Sequence, residues 1–134
     1  LYKSSLPARE REVVILRVGW LCRAEYEWAQ HVVIGKREGL TDDDIDRIAI
    51  GPGAEGLGAF DEALLQAADE LHRDPIISDQ TWSTLAERYS TEQLLDLVFT
   101  IGQYTLVSMA LNTLGVQLDD GLEGFPADAS ENRA

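Results

Sequence analysis

Apolar residues recur along the chain at helical rather than strand spacing. The run Val13 to Leu21 is almost continuously apolar, and SSLPARERE ahead of it reads as a helix start. Ser5 can cap, Pro7 has the fixed φ of a first turn, and Glu10 and Glu12 suit the positive end of the helix dipole. A second helical pattern continues from Glu25 to about Arg37, stopped by Gly39, and TDDDIDRIAI opens a third with Thr41 as its cap. GPGAEGLG, residues 51–58, is a loop by composition. FDEALLQAADELHRD puts Leu64, Leu65, Ala68 and Leu71 on one face, and SDQTWSTLAERY follows with Ser78 as cap and Trp82 and Leu85 inward. The last element, TEQLLDLVFTIGQYTLVSMALNTLGV, is apolar on almost every side, as a helix in a core or an oligomer interface is. Asp96, Gln103 and Asn112 interrupt it, which weighs against a membrane span. The pattern predicts an all-α, single-domain helical bundle of five or six helices over residues 1–116. An acidic, mobile tail is expected over residues 117–134, where the periodicity stops.

Charge narrows the partners. The 134 residues suit one core, and 45% hydrophobic with 26% charged residues is the balance of a folded globular chain. A net charge of -13 repels polyphosphate and anionic lipid, so neither nucleic acid nor a membrane surface is an expected partner. The charge is uneven: residues 1–37 hold seven of the eleven Lys and Arg against four acids. With one cysteine, Cys22, and no N-terminal pattern of a secretory leader, the expected compartment is a reducing cytoplasm.

Candidate chemistry is sparse. His72 ends a helix, where it serves terminal carbonyls, and Cys22 sits in apolar WLCRAEY, the setting of a small buried hydrophobe. No HExxH or CxxC occurs, so no metal site is expected. What stands out is EYEWAQH, in which Glu27 and His31 are an (i, i+4) pair able to share a helix face. On an exposed helix such a pair adds only ~0.2–0.5 kcal/mol. Here Tyr26, Trp28, Val32, Val33 and Ile34 flank it, predicting burial, and a buried carboxylate beside an imidazole needs a reason.

The segments LPAREREVVILRVGWLCRAEYEWAQHVVIGKREGLTDDDI, FDEALLQAADELH, ISDQTWSTLAERY and LLDLVFTIGQYTLVSMALNTLGV together resemble the carboxymuconolactone decarboxylase family, whose other branch is the alkylhydroperoxidase D-like proteins. The likeness covers about residues 5–116. In the peroxidase branch a glutamate precedes a CxxC pair and a histidine. Aligned on His31, that pattern puts Glu12 on the glutamate and Ala24 and Glu27 on the two cysteines, so both thiols are missing and the decarboxylase-like branch matches better. Glu12 and Glu27 would lie about 22 Å apart on one straight helix, so the chain must turn between them, near Gly19 and residues 21–24.

The resemblance implies a cofactor-free decarboxylase or related lyase acting on a small carboxylated lactone or keto acid, of the kind met in aromatic-compound degradation, and assembled as a homotrimer or homohexamer. His31 is then the acid/base, Glu27 its orienting carboxylate and Glu12 a second acid or polar anchor. For the anionic substrate, Arg17 or Arg23 is the expected cation, with Trp20, Tyr26 and Trp28 as apolar walls. Replacing His31 is expected to change stability little. Two alternatives stand beside this one: a peroxidase-like redox protein using Cys22, and a non-enzymatic binding or assembly protein on the same fold.

Overall fold

The computed structural model describes residues 4–126, which form six helices and, among themselves, no strand. They are α1 (Ala8–Leu21), α2 (Glu25–Arg37), α3 (Asp42–Ile50), α4 (Ala59–Arg73), α5 (Asp79–Ala86) and α6 (Thr91–Leu114). Helix α1 is the axis of the bundle, packed by α2, α3, α4 and α6. That explains its continuous apolar run: Val13, Val14, Ile15, Leu16 and Val18 are all at most 2% exposed, because a helix surrounded by others has no solvent face to leave polar.

Three charged residues of α1, namely Glu10, Glu12 and Arg17, are nevertheless buried, and each has found a partner, as buried charge requires. Glu10 accepts from the Tyr89 hydroxyl and pairs with Arg88 at 3.1 Å. Arg17 binds Asp69 through Nε and Nη2 at 2.7 and 3.0 Å, and its Nη1 donates to the carbonyls of Ile48 and Ala49 at the end of α3. Glu12 belongs to the site described below.

The turn required between Glu12 and Glu27 falls at Cys22–Ala24. Helix α1 runs on through Gly19, and the reversal is made by Arg23, at φ 56, with Ala24 N donating to the Gly19 carbonyl. Helix α2 then folds back along α1. Gly35 lies where they meet: a Cβ there would sit at an ordinary 3.6 Å from Glu12 Cβ and, more tightly, 2.8 Å from Leu40 Cδ1.

Thr41 and Ser78 cap α3 and α5 as expected, and Ser90 adds a capping box to α6. Ser5 does not cap α1. Its backbone N–H and hydroxyl both donate to Asp96, so it ties the N-terminal segment to α6. Trp82 is not inward either: α5 buries the Thr81 and Leu85 stripe and leaves Trp82 39% exposed at its rim. Helix α6 buries Leu94, Leu97 and Ile101 and leaves Leu95, Phe99, Leu106 and Met109 more than half exposed on another side. By length and composition it could cross a membrane; 28% of the relevant window is buried.

A Schellman-type stop at Gly115, φ 67, ends α6. The expected tail is described as far as Pro126, and that part docks. Gln30 donates to Asp119 at 2.8 Å, Phe125 N donates to Glu25 at 2.8 Å, and the Phe125 ring meets Trp20 edge-on at 4.9 Å. Residues 127–134 lie outside the described chain.

Candidate functional site

The hairpin of α1 and α2 brings Glu12 and His31 together: Glu12 Oε1 is 2.6 Å from His31 Nδ1. The other ring nitrogen, Nε2, lies 3.2 Å from Glu27 Oε2. That contact is an ion pair in distance but too oblique for a hydrogen bond, and Glu27 Oε2 has no hydrogen-bond partner among the described residues. The three predicted catalytic residues therefore do converge, but with their expected order reversed. Glu12 is the tight partner of the imidazole and Glu27 the loose one.

Burial works against a charged His31, which is 9% exposed, but the hydrogen bond to Glu12, then that side of the ring facing Glu27, outweighs it and lifts the pKa to about 9. At neutral pH the ring is an imidazolium held between two carboxylates. Tyr104 stands edge-on to it at 5.3 Å, its phenol pushed up by burial and by the nearby Glu27 and Glu12 charges.

His31 and Glu12 open onto a cleft of about 280 Å³. Helix α1 supplies Arg11 and Glu12, α2 supplies His31 and Ile34, and Ser4 lies at the rim. Helix α6 supplies Thr100, Gln103 and Tyr104, which share a face at i, i+3, i+4 spacing. Arg11 Nε is 3.2 Å from Glu12 Oε2, and its two terminal nitrogens make no hydrogen bond among the described residues. A larger hollow of about 750 Å³ lies between α2, α3 and residues 123–126, but its charged residues, Lys36, Asp42, Asp46 and Glu123, are all exposed. The buried titratable pair, Glu12 and His31, lines the smaller cleft.

The expected substrate-binding residues are elsewhere. Arg17 is spent on Asp69 and the α3 carbonyls, and Arg23 is an exposed residue of the α1–α2 turn. Trp20 and Trp28 pack on each other, at 5.6 Å, and on Phe125, while half-buried Tyr26 is not part of the cleft lining. The cation at the cleft is Arg11 instead. Its signal was adjacency to Glu12; that of Thr100 and Gln103 was their place, with Tyr104, at i, i+3, i+4 spacing in the middle of the apolar α6.

The cleft thus joins, on an all-helical hairpin scaffold, a histidine set between two carboxylates and a guanidinium whose Nε meets Glu12. The chain belongs to the carboxymuconolactone decarboxylase family, whose model matches residues 1–70, the part that holds Glu12, Glu27 and His31. Among solved structures the fold is shared with a protein of unknown function from Agrobacterium tumefaciens, named as a candidate antioxidant defence protein AhpD. The TM-score is 0.79 at 18% identity, covering 86% of this chain and 80% of that one. It is shared too with an uncharacterized peroxidase-related protein from Silicibacter sp. TM1040, at TM-score 0.77 and 14% identity. That match covers 88% of this chain, which spans 63% of the longer protein. No curated protein matches the chain in sequence.

Proposed function

We propose that the protein is a cofactor-free decarboxylase or closely related lyase acting on a small carboxylated lactone or keto acid. The observation that carries this is the His31 imidazolium, clamped by Glu12 and opening onto a cleft that also presents Arg11. Loss of CO2 leaves an electron pair that must be delocalised into a carbonyl and then protonated. Arg11 holds the substrate anion through its terminal nitrogens. Glu12 fixes the Nδ1 proton and the ring plane, so the transferable proton is the one on Nε2, which Glu27 holds only obliquely. A proton from solvent then restores the imidazolium beside the Glu27 carboxylate, and the cycle needs no thiol.

A redox role for Cys22 has the names of the two structural neighbours in its favour. Against it, burial pushes the Cys22 thiol up, away from the thiolate a peroxidase needs. The residues aligned with the two family thiols are Ala24 and Glu27. The apolar outer stripe of α6 supports a homo-oligomer, a trimer or hexamer as in the resemblance drawn above.

The test is a screen of carboxylated lactones and β-keto acids for CO2 release, with His31→Gln beside the parent. Per folded molecule, the variant should lose ~10²–10⁴ in rate, the usual worth of general acid–base catalysis. A His31→Gln protein fully active per folded molecule retires the proposal.

A further inference from the structure

Helix α6 carries two threonines near the site that behave differently. Thr105 does what a helical threonine usually does and donates from Oγ1 back to the Ile101 carbonyl at 2.7 Å. Thr100, one of the cleft residues, makes no such bond. It is 2% exposed, and its Oγ1 has no hydrogen-bond partner among the described residues. An unpaired hydroxyl in so buried a place destabilises a protein unless something else satisfies it.

The neighbours of Thr100 in the cleft are charged: Glu12, His31 and Arg11. Glu12 and His31 are bound to each other, so neither meets the hydroxyl's need. We infer that Thr100 Oγ1 is a substrate-binding hydroxyl, donating its proton to the carbonyl oxygen of a small oxo-carboxylate whose carboxylate is held by Arg11. This rests on the reading of the cleft as a site for a small organic anion, and it adds that the anion must present a carbonyl oxygen at a fixed remove from its carboxylate. A cleft of about 280 Å³ suits a compact ligand.

In the proposed reaction the role is electrostatic. As the bond to the carboxylate carbon breaks, its electron pair moves into a carbon–carbon double bond and the carbonyl oxygen takes the negative charge. CO2 leaves, and one proton from His31 closes the new C–H bond. A hydroxyl already aimed at that oxygen strengthens its hydrogen bond as the charge grows.

The experiment separates this from the function proposal by measuring binding, not turnover. Two probes are titrated by NMR: 4-oxopentanoate, a keto acid stable towards loss of CO2, and pentanoate, the same chain without the carbonyl. The parent should bind the keto acid about three- to tenfold more tightly, the worth of one hydrogen bond. Thr100→Val, which keeps the shape, should bind both equally, and Thr100→Ser should keep the preference. Because the hydroxyl is unpaired in the free protein, Thr100→Val should melt no lower than the parent. A preference unchanged in Thr100→Val overturns the inference and leaves the anion cleft standing. No binding of either acid to the parent overturns both.

Discussion

His31 lies 2.6 Å from Glu12, a residue nineteen positions earlier on a different helix, and is closer to it than to Glu27 on its own helix. The long-range contact thus matters more than the local (i, i+4) pair. Glu12→Gln should lower the His31 pKa further than Glu27→Gln does, because the Glu12 hydrogen bond is the larger of the two raising influences. Titration of the His31 ring protons by NMR in both variants checks the order; an equal drop would contradict it.

The same pair makes stability depend on pH. His31 is raised from an ordinary 6.5 to about 9, so the folded state binds its proton more tightly than the unfolded one. The resulting stabilisation, on the order of 3 kcal/mol, is complete below pH 6.5 and disappears as pH rises through about 9. Urea midpoints should fall across that window, and the slope attributable to this group should vanish in His31→Gln. At pH 7 that variant leaves two carboxylates without their shared cation, so it should be destabilised by about 3–5 kcal/mol. The sequence alone suggested little change, because glutamine keeps the shape and some of the hydrogen bonding of histidine, and the close contact with Glu12 lay on another helix.

Two arginines of α1, six positions apart, should respond in opposite ways. Arg17→Leu removes four hydrogen bonds to Asp69, Ile48 and Ala49 and should lower stability by roughly 3 kcal/mol, with KM little changed in the folded fraction. Arg11→Gln touches a partly exposed group and should alter stability by less than about 1 kcal/mol while raising KM about tenfold or more. Thermal melts and steady-state kinetics on the pair decide it, and a KM effect confined to Arg17 would reassign the cation.

Cys22→Ser should leave activity within a few-fold of the parent, and iodoacetamide should label the parent slowly at neutral pH. The thiol is half-buried and pushed up by burial, with Thr105 and Ser108 hydrogen bonds only partly opposing that. Lost activity with an intact fold would restore the redox reading.

On α6, Leu95, Phe99, Leu106 and Met109 are 51%, 62%, 57% and 54% exposed, with Gly102 open between them. Light scattering should give at least a trimer, and Leu106→Glu should reduce the mass. A stable monomer of the parent at micromolar concentration would rule the assembly out.

The helices were legible because caps and stops are local: Thr41, Ser78 and Gly115 each act within a few residues. Ser5 was misread because its partner, Asp96, is 91 positions away. Glu27 and His31 were legible as an (i, i+4) pair, but Glu12 joined them only through the family pattern, since no periodicity places it against His31. The far wall of the cleft was hidden for a further reason. Helix α6 is apolar on both its inner and outer sides, so hydrophobicity marks no face, and Thr100, Gln103 and Tyr104 gain a direction only when α6 packs on α1. Arg17 and Arg11 look alike in sequence, and they are separated by distant partners of Arg17: Asp69, 52 residues beyond it, and the Ile48 and Ala49 carbonyls.

Gly35 sits one helical turn beyond His31 and faces Glu12 across the hairpin. A glycine inside a helix gives up about 1 kcal/mol relative to alanine, so this position trades backbone propensity for interhelical distance. A methyl group there would rest against Glu12 at ordinary contact distance and press on the flexible tip of Leu40, which can yield. Anything larger would lever α2 away from α1 and lengthen the Glu12–His31 bond. The proton affinity of His31 is therefore adjustable from an uncharged position outside the cleft lining. Selection or an engineer could retune the acid by changing the thickness of a hairpin, leaving every ionisable residue as it is.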